Sequence, residues 1–72
     1  MDVAIVTGAA TGIGLALSRK LVDLGCRVYG LGGNYSNTTY SHDYFVPTPC
    51  DLSKPSEIEN KVSKILEREG NI

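Results

Sequence analysis

At 72 residues, with seven Lys and Arg against eight Asp and Glu and a net charge of −1, the chain can build one small core at most. Ordering entropy of about 1.5 kcal/mol per residue leaves a domain of this size close to breaking even, which excludes a complete large enzyme. No basic excess exists to neutralise a row of phosphates or to hold an anionic lipid surface, so nucleic-acid and membrane partners are both disfavoured.

The run Val3-Ala4-Ile5-Val6 is apolar and rich in β-branched residues, and it stops at Thr7-Gly8. It predicts a strand over Val3 to Thr7, buried on both faces as in a parallel sheet. A glycine-punctuated loop follows, and then apolar residues at Ile13, Ala16, Leu17, Leu21 and Leu24 give a helical stripe that Gly25 ends. The helix is expected near 13 to 24.

Cys26 to Leu31 supplies the next strand, apolar apart from Arg27, and runs into Gly32-Gly33. Asn34 to Asp43 is polar or Tyr throughout, without an apolar period, and reads as a loop. Tyr44 to Val46 gives a short third strand. The prolines at 47 and 49 confine it to a sheet edge, because Pro has no N–H for a ladder. A last helix near 54 to 69 has Pro55 in its first turn, Glu57 and Glu59 near its positive end, an apolar set of Ile58, Val62, Ile65 and Leu66, and Gly70 as its stop. The right-handed crossover rule places the two helices on opposite faces of the sheet, with Asn71-Ile72 leading toward a fourth strand.

Cys26 and Cys50 are 24 residues apart without a C-x-x-C, and His42 is the only imidazole, so metal and disulfide frameworks are missing and free thiols are expected. Asp2 stands where a signal peptide would carry positive charge, and Thr7, Gly8, Thr11, Gly12 and Gly14 break the apolar run. The expected setting is soluble and cytoplasmic.

The informative segment is Thr7-Gly8-Ala9-Ala10-Thr11-Gly12-Ile13-Gly14, between strand and helix. Gly8 permits the sharp turn out of the strand, Gly12 admits a bound pyrophosphate to the backbone, and Gly14 permits close helix packing. The helix N-terminus then faces the anion. No Gly-Lys-Ser/Thr follows, which disfavours a Walker P-loop.

With this spacing, Thr-Gly-x-x-x-Gly-x-Gly, and with Cys50-Asp51-Leu52-Ser53 after the third strand, the sequence resembles the N-terminal part of the short-chain dehydrogenase/reductase family over essentially its whole length. The resemblance implies an α/β partial Rossmann fold: a three-stranded parallel sheet in the order 3-2-1 with two main helices on opposite faces. It implies NAD(P) as cofactor, held by Gly8, Thr11, Gly12, Ile13 and Gly14, by Gly32, Gly33 and Asn34 at the end of the second strand, and by Asp51 and Leu52 at the adenine. Taken alone, Asp51 also suits a turn or a helix N-terminus, and Thr7 and Thr11 also suit turn positions. At the end of the second strand a carboxylate selects NAD(H) and a cation NADP(H). Gly32-Gly33-Asn34 offers neither and Thr11 is neutral, so the choice stays open with a lean to NADP(H).

The family's Asn-Asn-Ala-Gly segment, catalytic Ser and Tyr-x-x-x-Lys pair are not in these 72 residues; positions four after Tyr29, Tyr35, Tyr40 and Tyr44 are Gly33, Thr39, Tyr44 and Thr48. The four tyrosines therefore read as packing residues, and His42 as a solvated side chain. Two functions are compatible with this. One is the dinucleotide-binding portion of an oxidoreductase that ends before the fourth strand and the catalytic half, catalytically incompetent as a 72-residue chain. The other is a small non-catalytic nucleotide-binding or interaction module. Whether the reading frame continues past Ile72 separates them. Either way, the first strand is expected to present an open edge through which copies of the chain associate.

Overall fold

A computed structural model describes residues 1–10, 12–33, 35 and 40–70. The elements follow in the order β1 (Val3–Thr7), α1 (Gly12–Asp23), β2 (Arg27–Gly32), β3 (Phe45–Pro49) and α2 (Pro55–Glu69). The three strands form one parallel sheet with β2 in the centre, which is the expected order. The register pairs Val3 with Arg27 and Val28 with Phe45.

Strand alternation divides the core into two layers. Ala4, Val6, Val28 and Phe45 share one layer with Ala9 and with Leu15, Leu21 and Val22 of α1. Val3, Ile5, Tyr29, Leu31 and Val46 share the other with Ile58, Val62 and Ile65 of α2. The helices thus cover opposite faces. Both cysteines are free thiols, and Cys26 packs in the α1 layer whereas Cys50 packs in the α2 layer.

Of the apolar stripe expected on α1, Leu21 packs in the core layer and the other four members are exposed. Ile13 is 89% exposed, Leu24 68% and Leu17 48%, and Ala16 is also exposed, while Ser18 is fully buried. The cause is close approach. A Cβ on Gly14 would stand 2.0 Å from the Gly8 carbonyl oxygen, so at Gly14 the helix lies directly against backbone, and the buried Ser18 follows one turn on in the same row. The Ser18 hydroxyl is satisfied locally, donating to the Gly14 carbonyl at 2.8 Å. At the other end Gly25, at φ 93°, donates to Val22 O, and Cys26 donates to Leu21 O, closing the helix at the expected glycine.

The strand boundaries also shift. β2 runs from Arg27 to Gly32 and not from Cys26 to Leu31; β3 runs from Phe45 to Pro49 and not from Tyr44 to Val46. Both prolines lie inside β3. Val28 donates to Tyr44 O and Cys50 donates to Gly32 O, so even-numbered residues of this segment bond to β2. Pro47 and Pro49 turn their nitrogens to the outer edge, where no ladder needs an N–H. Between β2 and β3, within the segment read as a loop, Tyr35 and Tyr40 pack on the α1 layer beside Phe45. His42 closes the turn into β3, its Nδ1 accepting from the Tyr44 N–H.

α2 starts without a side-chain cap at Lys54 and ends at Gly70, whose N–H donates to Leu66 O. Its C-terminal end is tied to the start of β2: Glu69 accepts from the Arg27 guanidinium through both oxygens and from the Tyr29 hydroxyl. Among the described residues no helix is long and apolar enough to cross a membrane. The start of a fourth strand, read at Asn71-Ile72, falls outside the described residues.

Candidate functional site

The carboxyl ends of three parallel strands lie side by side, and the loops that leave them carry the candidate residues. The first loop leaves β1 at Gly8 and enters α1 at Gly12, both in the left-handed region at φ 66° and 60°. An L-residue pays about 1–2 kcal/mol in that conformation. Between them Ala9 is fully buried, and its N–H donates to Leu31 O at 3.3 Å, pinning the loop to the end of β2. Gly14 then seats the helix on the Gly8 peptide. The first-turn N–H groups of α1 have no intrahelical acceptor and stand at the strand ends, an arrangement suited to an anion.

β2 meets this loop with glycine at alternate positions. A Cβ on Gly30 would lie 2.8 Å from the Ala9 Cβ, and one on Gly32 3.2 Å from the Ala10 Cβ. The loop therefore rests directly on the strand backbone. Gly32 is buried and Gly33 exposed.

The third loop, Cys50 to Ser53, bounds an open cleft of about 590 Å³ lined by Gly33, Pro49, Cys50, Asp51, Leu52, Ser53 and Glu57. Asp51 organises it. Its Oδ1 accepts from the Ser53 N–H at 3.0 Å and from the Ser53 hydroxyl at 2.6 Å, and its own N–H donates to Glu57 Oε1 at 3.1 Å. The Ser53 hydroxyl foremost, then the Ser53 N–H, holds the Asp51 carboxyl below its ordinary range, so it is an ionised acceptor. The turn role and a ligand role are compatible, because a carboxylate has lone pairs to spare after two such bonds.

Of the residues expected at the site, Gly33, Asp51 and Leu52 line the cleft, and Gly32 abuts it in sequence as the last residue of β2. Gly8, Gly12 and Gly14 form the neighbouring loop and helix start, joined to β2 through Ala9 and Ala10. Ile13 is exposed beside them. Thr11 and Asn34 fall outside the described residues. Sequence reasoning missed Ser53 and Glu57, which set the Asp51 loop, and the floor made by Gly30 with Gly32. The alternation of glycines along β2 was the available signal for that floor.

Residues 2–72 match the sequence pattern of the short chain dehydrogenase family. The chain belongs to that family. It is 39% identical over 64 residues to an uncharacterised short-chain type dehydrogenase/reductase of Sinorhizobium fredii, an alignment spanning 86% of this chain and 26% of that protein. It is 32% identical over 82 residues to the D-beta-hydroxybutyrate dehydrogenase of Rhizobium meliloti, spanning 93% and 30%. Among solved structures, ligand-free aldohexose dehydrogenase of Thermoplasma acidophilum superposes with a TM-score of 0.78 at 32% identity, over 99% of this chain and 26% of that one. This short-chain dehydrogenase sequence thus spans about a quarter of the length of such relatives.

Proposed function

We propose that this chain is the NAD(P)-binding N-terminal portion of a short-chain dehydrogenase/reductase, catalytically incompetent as 72 residues. The observation that carries the reading is the glycine loop: Gly8 and Gly12 at positive φ, and Gly14 pressed on the Gly8 peptide. Those positions need glycine for geometry, and the result is a helix N-terminus at the strand ends. The diphosphate of the dinucleotide would lie along Gly8, Thr11, Gly12, Ile13 and Gly14. The adenosine would occupy the cleft beside Gly32, Gly33 and Asn34, with Asp51 and Leu52 at its adenine. Gly32 and Gly33 carry neither a carboxylate to repel a 2′-phosphate nor a cation to attract it, so the coenzyme choice stays open, with a lean to NADP(H). Substrate binding and proton transfer would fall to residues beyond these 72. A cytoplasmic setting belongs to the same proposal and agrees with two free thiols.

Titration of the chain with ADP, followed by amide NMR, tests this. Shifts at residues 8–14 and 51–52 are expected, with weak affinity, and shifts confined elsewhere would overturn the site. Hydride transfer by the purified 72-residue chain should be undetectable with any alcohol or carbonyl; measurable turnover would refute the catalytic assignment.

A further inference from the structure

We propose that Tyr35 is a positioning residue for the nucleotide cleft: seated on the two side-chain-free positions of β2, Gly30 and Gly32, it clamps the end of that strand against the glycine loop. The proposal rests on the nucleotide reading given above. On its α1 face β2 presents Val28, Gly30 and Gly32 in alternation, so beyond Val28 the sheet surface is bare backbone. Four groups occupy that surface. The Ala9 Cβ and the Phe45 ring fill the space over Gly30; the Ala10 Cβ and the Tyr35 hydroxyl oxygen, each 3.2 Å from a would-be Cβ, fill the space over Gly32.

The Tyr35 hydroxyl donates to the Gly30 carbonyl, and its ring meets Phe45 edge-on at a centroid separation of 6.3 Å. Phe45 in turn carries the Tyr40 ring at 5.2 Å, and Arg19 of α1 lies 5.3 Å over Tyr40. One chain of contacts therefore runs from the crossover segment through β3 to α1, and its inner end is the phenol, which shares the space over Gly32 with the Ala10 Cβ of the loop that leaves β1. Burial pushes the Tyr35 phenol above its ordinary range, a rise that the Thr48 backbone partly offsets, so the hydroxyl stays a donor across neutral pH. The consequence concerns the ligand. Gly32 directly precedes Gly33, a wall of the cleft, and Ala10 belongs to the glycine loop, so a phenol that holds the space over Gly32 bears on both parts of the site.

Tyr35→Phe keeps the ring on Phe45 and removes only the hydroxyl, so the fold should survive it. ADP is the probe, in both chains. The unaltered chain should bind, and Tyr35→Phe should bind roughly fivefold more weakly, the scale of one neutral hydrogen bond near 1 kcal/mol. Amide exchange should rise at Ala9, Ala10 and residues 30–33 while residues 58–66 of α2 keep their protection, a pattern that uniform destabilisation would not give. Equal ADP affinity in the two chains, or a rise in exchange spread evenly over α2, would overturn the proposal. Failure of the unaltered chain to bind ADP would instead defeat the nucleotide reading itself.

Discussion

Gly14 is the position where a single added carbon does most damage. Its Cβ would fall 2.0 Å from the Gly8 carbonyl oxygen and 2.6 Å from the Gly8 carbonyl carbon, and backbone cannot yield as a flexible side chain can. Gly14→Ala is therefore expected to destabilise the chain by about 2–4 kcal/mol, read by denaturant unfolding. Gly33→Ala, with open space around it and no positive φ, should stay within about 0.5 kcal/mol of the parent. Glu69 gives a second prediction, through pH. Its side chain is only 10% exposed, and the Tyr29 hydroxyl, followed by the Arg27 guanidinium, holds its carboxyl below the ordinary 4.5. A carboxyl whose pKa is depressed on folding binds fewer protons folded than unfolded, so its stabilising contribution is complete above 4.5 and is lost as pH falls through the folded value. Tyr29 works in the other direction. Burial raises its phenol above 10.0, with Glu69 adding to the rise, so stability is also lost as pH climbs past 10. Urea midpoints measured across pH should show both limbs, and Glu69→Gln should flatten the acid one; an unchanged acid limb would refute the role given to Glu69.

Among the elements, α2 shows a start that could be improved. Lys54 occupies the N-cap with extended backbone and no side-chain bond to the helix, while the Asp51–Ser53 turn and Glu57 serve the chain just before it. Lys54→Ser should raise stability by about 0.5–1 kcal/mol, since the Lys54–Asp51 pair it removes is exposed and 4.0 Å long and such pairs contribute little. A drop in the thermal midpoint would contradict this. The same elements show what sequence patterning captures. Element order, parallel topology, the stop at Gly25 and the αL cap at Gly70 follow from local chemistry, because glycine and proline act on their own backbone. The α1 face escaped because hydrophobic periodicity assumes the largest apolar residues face the sheet. Here contact distance selects Gly14 and Ser18, leaving Ile13 and Leu17 outside. Patterning makes β3 too short because a proline counts against a strand until the side bearing its nitrogen is known. At the site, glycine spacing and Asp51 were legible, whereas Ser53, Glu57 and Tyr35 act through contacts that only the folded chain creates.

For the molecule as a whole, the decisive feature is the free side of β1. Arg27 donates to Asp2 O, and the register pairs Val3 with Arg27, so the N–H and C=O groups of Val3, Ile5 and Thr7 point away from β2. No strand lies beyond them among the described residues. The run Val-Ala-Ile-Val-Thr carries no charge, proline or bulge, the devices by which edges are kept from pairing. Ile13, Leu17 and Leu24 of α1 add exposed apolar surface. The 72-residue chain is therefore expected to self-associate, with two β1 strands pairing antiparallel across a two-fold axis to give a six-stranded sheet. Val3→Pro removes one outward N–H and leaves the ladder to β2 intact, because the Val3 nitrogen is not used there. Light scattering should show a dimer for the parent at high micromolar concentration and a monomer for Val3→Pro. A folded, monomeric parent under those conditions would rule the edge out as an interface, and a Val3→Pro chain that still dimerises would move the interface to the exposed face of α1.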